Sequence, residues 1–209
     1  MSATADSKRL FKTYVSKHEM TILRDDEQYR HIRFKSPSSS IGWFDLVTWP
    51  YHLVISGDFE SFHFSREEDM FAFFEMCGDE HGINPGYWGE KIQGTSPFRT
   101  HSPELFTQLV VEYFWARRHD YRGNVVELWR AIREEVLENA EYQTPARDAL
   151  MGFRHWDRDA DDFTFDDAWE WNYTDYDFHY LKSLHAIVWG IKQYRAATPD
   201  QNQNPAENP

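Results

Sequence analysis

The chain has 209 residues and a formal net charge of −13, and 41% of its residues are hydrophobic, with 16 Phe, 11 Tyr and 9 Trp. This apolar content is enough to build a core, which excludes intrinsic disorder of the whole chain. The excess of carboxylates repels phosphate backbones and argues against a direct nucleic-acid binder. The single cysteine, Cys77, excludes an internal disulfide. Without a signal peptide or an apolar run long enough for a membrane span, we expect a cytoplasmic protein.

The first third of the chain predicts one helix followed by β-strands. Apolar residues at helical spacing predict a helix from about Asp6 to His18. Short runs rich in β-branched and aromatic residues, separated by turn-forming residues, then predict five strands. These runs are Thr21–Leu23, Tyr29–Lys35, Ile41–Trp49, Tyr51–Ser56 and Phe59–Phe64. Alternation of apolar and polar residues along them predicts an antiparallel meander with one buried face and one wetter face.

The remainder of the chain is predicted to be largely helical. Ser65 and Glu68 form a capping box, which predicts a helix over Arg66–Met76 that ends at Gly78. Residues 79–101 predict an ordered loop with a short helical turn. The later helices are predicted at Ser102–Arg118, after Gly123, at Pro145–Phe153 and at Asp175–Arg195. The predicted fold is therefore α+β, a meander of about five strands packed against a largely helical C-terminal half, as one domain over residues 1–197 with a disordered tail over 198–209.

The segment Asp157–Asp177 combines dense negative charge with interleaved aromatic residues. Its acidic residues, against Arg158 alone, are Asp157, Asp159, Asp161, Asp162, Asp166, Asp167, Glu170, Asp175 and Asp177. Aromatic side chains can anchor such a segment, and Trp169 and Trp171 are candidate interface anchors. Carboxylates on a rigid frame can bind a basic protein or imitate the phosphates of DNA. A solvated acidic loop that aids solubility is the alternative interpretation.

A second candidate site lies on the polar face of the predicted sheet. Strand alternation places His52 and His63 there, and with Asp45, Asp58 and Glu60 they form a candidate pocket for a small nucleotide-like ligand. Such a site would serve an enzyme or a sequestering binder. It lacks a basic cluster to receive phosphates, and a solvated sheet surface explains the same pattern.

Motifs for known catalytic and metal chemistry are incomplete. The sequence has no Gly-x-Ser-x-Gly, no phosphate-binding glycine loop, no dinucleotide fingerprint and no His-Glu-x-x-His. The spacing Asp157-x-Asp159-x-Asp161 is similar to the start of a calcium loop, but Asp162 stands where the turn requires glycine. We therefore predict no catalytic residue, no metal site and no cofactor.

Several short segments of the sequence are similar to segments of a known protein family. They are Trp43–Pro50, Ile55–Asp58, Phe64–Arg66 with Asp69–Phe71, Ile83–Trp88, and Trp169–Trp171 with His185–Ile191. Together, over most of residues 18–195, they resemble an uncharacterised family of hypothetical proteins from tailed phages, prophages and actinobacteria. The resemblance implies an accessory protein that modulates a host or competitor system. The net charge of −13, the segment Asp157–Asp177 and the absence of a catalytic set favour the hypothesis that it acts by stoichiometric binding, in the cytoplasm of a bacterial host. We expect its partner to be a host or defence-system protein with a basic surface, inhibited through the acidic segment.

Overall fold

The structure is a computed structural model that describes residues 3–76, 82–158 and 162–199, with side chains from Ser7 onward. Their contacts divide the chain into two compact units. We call them the sheet unit, within Met1–Phe98 and Tyr176–Pro209, and the helical unit, within Arg99–Asp175. Cys77, the predicted cap Gly78 and the tail beyond residue 199 lie outside the described residues. Across the described ranges, no helix has the length and apolar character needed to cross a bilayer.

Five antiparallel strands form the large sheet, in the order in which they occur along the chain. They are β1 (Glu19–Asp26), β2 (Tyr29–Lys35), β3 (Phe44–Trp49), β4 (His52–Gly57) and β5 (Phe62–Ser65). Each strand pairs with the next, so the predicted meander and the α+β class are confirmed. Alternate side chains bury one face, namely Ile32, Phe34, Phe44, Leu46, Leu53, Ile55, Phe62 and Phe64.

The described residues also contain seven α-helices and two further strands. The helices are α1 (Ala3–Tyr14), α2 (Met70–Met76), α3 (Pro85–Gly89), α4 (Pro103–Arg117), α5 (Val125–Ala131), α6 (Gln143–Gly152) and α7 (Phe178–Ala197). Strands β6 (Arg99–His101) and β7 (Thr174–Tyr176) form a separate two-stranded sheet. A π-helical turn at Ile132–Val136 and a 3-10 turn at Leu137–Asn139 continue α5. The predicted helices are therefore present, whereas β6 and β7 fall where a loop and the start of a helix were predicted.

Helix α7 packs on the apolar face of the sheet at a position where only glycine fits. A Cβ at Gly190 would lie 2.7 Å from Leu46 Cδ1 and 2.9 Å from Phe34 Cε2. Both neighbours are fully buried, so neither can move aside at low cost. The missing side chain lets the helix backbone approach the sheet closely, and Tyr180, Leu184, Ile187 and Ile191 join the same core.

The predicted capping box of α2 is wrong in position. Ser65 remains in β5, where its backbone N donates to the Lys91 carbonyl oxygen at 3.0 Å. Because this pairing holds the chain extended, the helix begins only at Met70. Asp69 provides the cap, since its Oδ1 accepts from the Phe71 backbone N at 2.9 Å. The same carboxylate receives two hydrogen bonds from the buried Arg30 guanidinium, at 2.9 and 3.2 Å.

The helical unit has its own core, to which the acidic segment contributes. Side chains of α4, α5, α6 and the π-helical turn are buried together with Phe163, Phe165, Ala168 and Tyr173. These four residues belong to the acidic segment Asp157–Asp177. Their burial fixes the backbone that carries the neighbouring charges.

Candidate functional site

The acidic segment forms a short exposed turn between buried anchors. Phe165 and Ala168 are buried, and Trp171 packs its ring on Tyr113 at a centroid distance of 5.2 Å. Between them Asp167 adopts a left-handed backbone, with φ of 51°, and leads into a 3-10 turn over Ala168–Glu170. The backbone N of Glu170 donates to the Asp167 carbonyl oxygen at 2.9 Å and closes this turn. We call Asp166–Glu170 the acidic turn.

The acidic turn presents one indole between carboxylates. Trp169 is 69% exposed, and Asp166, Asp167 and Glu170 are also exposed. Because Ala168 and Phe165 are held in the core, the indole is positioned on an anchored backbone. An exposed tryptophan offers a large apolar surface whose burial by a partner is favourable.

Several carboxylates of the predicted site already have partners within the helical unit. Asp162 pairs with Arg154 at 3.0 Å, and Asp166 pairs with Arg117 at 3.3 Å. Asp157 accepts from the backbone N of Asn124 at 2.8 Å, just ahead of α5. These contacts explain how a stretch of like charges can fold, since each one lowers the local repulsion.

Two carboxylates of the acidic turn remain uncompensated. Within the part of the chain that the structure describes, no ion pair involves Asp167 or Glu170. The surrounding helical unit adds to their field, because its sequence contains 17 acidic residues against nine arginines and no lysine. The unit therefore has a formal net charge of −8, out of −13 for the chain. Such a surface attracts cationic groups from solution.

A polar cleft of about 160 Å³ lies beside the acidic turn. It is lined by Tyr113, Arg117, Asp120, Tyr121, Arg122, Asp162, Phe163, Thr164 and Asp166. The Tyr113 hydroxyl accepts from the Asp166 backbone N at 2.9 Å, which ties the turn to α4. Burial raises the pKa of Tyr121, and the carboxylates of Asp157, Asp162 and Glu127 raise it further. The phenol therefore stays protonated at neutral pH.

The alternative pocket on the sheet is only partly assembled. His52 and His63 lie together on the polar face, with Nδ1 of His52 2.9 Å from Nε2 of His63, and the Trp49 ring stacks on His52 at 4.9 Å. Asp58, in contrast, belongs to the turn after β4, where its Oδ2 accepts from the Gly42 backbone N at 2.5 Å. Glu60 is exposed in the same connection.

Asp45 lies on the predicted polar face but is not available to a ligand. Its side chain accepts from Arg33 Nε and Nη2, both at 2.8 Å, and bonds His31 Nε2 at 2.8 Å. The residue is only 5% exposed. Burial on its own would raise the pKa of Asp45, but the hydrogen bonds from Arg33 and His31 outweigh it and hold the pKa below its ordinary value. Asp45 therefore serves as the counter-ion of Arg33 on the polar face of the sheet.

Not all of the predicted site residues can be placed. Asp159 and Asp161 lie outside the described residues. Among the described residues, no group of three or more His, Cys, Asp or Glu side chains could hold a metal ion. Sequence reasoning missed Tyr113 and Arg117, which tie the acidic turn to α4. Their spacing of four residues places them on one helix face, but nothing local indicates that the segment packs there.

We expect the His52–His63 pair to make stability depend on pH. Burial, followed by the charge of His52, lowers the pKa of His63 below its ordinary value. The unfolded chain then binds more protons than the folded one below about pH 6.5, so stability falls as pH decreases through that value. In His63→Gln the loss of melting temperature between about pH 7.5 and about pH 5.5 should be smaller than in the parent protein.

His179→Gln is the control for this comparison, because His179 is an exposed histidine on α7. It should leave the pH profile of the melting temperature unchanged. A His63→Gln profile that coincides with the parent profile would show that the pair carries no proton linkage.

Comparison with known proteins gives no relative for the chain. No protein-family model, no curated protein and no solved structure matches it. Membership of the phage and actinobacterial family therefore remains a prediction from the sequence strings.

Proposed function

We propose that the protein acts as a stoichiometric binder of a basic protein, with the acidic turn as its contact surface. The observation that carries the proposal is Trp169, 69% exposed on an anchored turn and flanked by the uncompensated Asp167 and Glu170. A pre-positioned tryptophan loses little conformational freedom when it is buried, and such residues dominate binding energies at interfaces.

The charge around Trp169 determines what kind of partner fits. The carboxylates of Asp167 and Glu170 repel nucleic acid and attract lysine and arginine side chains. Guanidinium groups also bind the faces of tryptophan rings, so an arginine-rich surface satisfies both features of the turn. The partner is therefore a protein with a basic surface.

The biological role follows from the sequence resemblance taken together with this surface. An accessory protein of a phage or prophage would meet its basic partner in the cytoplasm of the bacterial host. Proteins that process nucleic acid carry basic surfaces, and a rigid acidic protein can occupy them. The proposed consequence is inhibition of a host nucleic-acid-processing or defence complex, through imitation of DNA where the carboxylates match phosphate positions.

Affinity capture with matched variants tests the binding surface. The tagged protein, Trp169→Ala and the double variant Asp167→Asn/Glu170→Gln are used to capture proteins from the cells in which the chain occurs naturally, with quantitative mass spectrometry. Recovery of the partner should fall about tenfold or more in each variant. Recovery by the parent protein should also fall as salt is raised from about 0.05 to about 0.5 M.

Two controls in the same unit separate the turn from general effects. Trp156→Ala removes another exposed indole, and Glu134→Gln/Glu135→Gln removes two exposed carboxylates of the helical unit. Both should retain the partner. The proposal fails when nothing is captured near stoichiometry, or when the turn variants retain the partner as well as the controls do. Release of the captured protein by duplex DNA would support imitation of DNA.

A further inference from the structure

An apolar pocket lies between α1 and α7 in the sheet unit. It has a volume of about 250 Å³ and is lined by Leu10, Phe11, Tyr14, Phe178 and Lys182. Leu10, Tyr14 and Phe178 are exposed by 47%, 38% and 48%, although each is a large apolar or aromatic residue. Exposed apolar groups gathered around one cavity are typical of a ligand-binding site.

Among the described residues, Lys182 is the one amine that lines this pocket. Lys182 Nζ lies 3.9 Å from the ring centroid of Tyr14 and 3.8 Å from that of Phe59. Within the described residues no carboxylate forms an ion pair with it. Burial lowers the pKa of Lys182, and Asp58 opposes this shift in part. The ring faces of Tyr14 and Phe59 stabilise the ammonium form, whereas desolvation lowers the pKa and raises the fraction of the neutral, nucleophilic form.

We propose that Lys182 is a carbonyl-reactive amine and that the pocket binds small apolar aldehydes. The Nζ lone pair attacks the carbonyl carbon, a C–N bond forms as the C=O π bond breaks, and the oxygen takes up one proton while the nitrogen releases one, which gives a carbinolamine. Loss of water, with the second proton of the nitrogen, leaves a C=N bond to Lys182. The net change is amine plus aldehyde to imine plus water, which needs no oxidant or reductant.

The size and charge of the pocket determine the ligand class. A cavity of about 150 Å³ holds a benzene molecule, so one of 250 Å³ accommodates an aromatic aldehyde. Burial raises the pKa of Tyr14 and lowers that of Lys182, and Asp58 lies close enough to add to the first shift and oppose the second. The negative charge of Asp58 disfavours a carboxylate ligand. A neutral aromatic aldehyde fits this volume and is not repelled by Asp58.

Reductive trapping with benzaldehyde and cyanoborohydride tests the proposal on the intact protein at neutral pH. Peptide mass mapping then compares Lys182 with the six other lysines, which are Lys8, Lys12, Lys17, Lys35, Lys91 and Lys192. We expect Lys182 to be modified about tenfold faster than any of these, because binding in the pocket raises the local aldehyde concentration. With glyceraldehyde, a polar aldehyde, this preference should disappear.

Three outcomes would overturn the proposal. They are modification of Lys182 no faster than the other lysines, an equal preference for Lys182 with glyceraldehyde, and a larger rise in melting temperature with benzoate than with benzaldehyde. The last outcome would identify a carboxylate site instead. In the parent protein, benzaldehyde should raise the melting temperature more than benzoate does. Lys182→Met keeps the apolar stem of the side chain and should lose this rise in melting temperature, whereas Lys192→Met on the same helix should retain it.

Discussion

Replacement of Asp69 by alanine is expected to lower the free energy of unfolding by about 3 to 5 kcal/mol. The side chain of Arg30 is 8% exposed and has its two terminal nitrogens on the Asp69 carboxylate. Loss of the carboxylate leaves a buried guanidinium without its counter-ion and removes the cap of α2 at the same time. Denaturation of the purified proteins by urea, followed by tryptophan fluorescence, measures the difference.

Asp26→Ala provides the matched comparison, because Asp26 is also a carboxylate paired with an arginine. Its partner Arg24 and Asp26 itself have side chains exposed by 59% and 66%. Exposed pairs contribute little, so the change should be below about 0.5 kcal/mol. Similar losses in Asp69→Ala and Asp26→Ala would contradict the view that the Arg30 pair holds α2 to the sheet.

Replacement of Gly190 by alanine is expected to lower the free energy of unfolding by about 1 to 3 kcal/mol. The added Cβ would meet Leu46 Cδ1 at 2.7 Å and Phe34 Cε2 at 2.9 Å in a fully buried region. Relief of this overlap requires α7 to move away from the sheet. Thermal and urea denaturation of the variant measure the loss.

Gly152→Ala tests the same substitution where space is open. Gly152 is the last residue of α6, and a Cβ there has no neighbour within 4 Å. Because alanine favours the helix and restricts the unfolded chain, the variant should gain about 0.5 to 1 kcal/mol. If Gly190→Ala were also neutral or stabilising, close packing of α7 on the sheet could not explain the glycine.

The fold was predictable where a short-range pattern is sufficient. Strands β2 and β4 alternate buried and more exposed residues with a period of two, which is a property of the strand itself. Helix α4 carries both of its start signals, Ser102 as the cap and Pro103 at the first helical position. Neither inference requires knowledge of distant residues.

The candidate sites depend on contacts that the local sequence does not determine. Arg33 lies opposite Asp45 only because of the register of β2 with β3, and the long connection between these strands leaves that register open. Asp58 and Glu60 were predicted on the polar face, yet the turn that begins at Gly57 places Asp58 beside Gly42. Because that register is not set locally, the sequence alone could not indicate that Arg33 pairs with Asp45.

For the acidic turn, too, the local sequence predicts some features and leaves others undetermined. Alternating aromatics indicated correctly that the segment is anchored. They could not indicate that Trp169 is exposed while Trp171 is half-buried, because this depends on the left-handed backbone of Asp167. Aspartate enters that region more readily than most residues, but its presence does not require it.

The sheet unit is assembled from two stretches of chain that are separated by the whole helical unit. A ribosome adds about 5 to 20 residues per second, so the 77 residues of Arg99–Asp175 occupy it for about 4 to 15 s. During that interval the residues of the five strands have been synthesised, but Tyr180, Leu184 and Ile187 of their core have not. All residues of the core of the helical unit are therefore synthesised before α7, the helix that completes the core of the sheet unit.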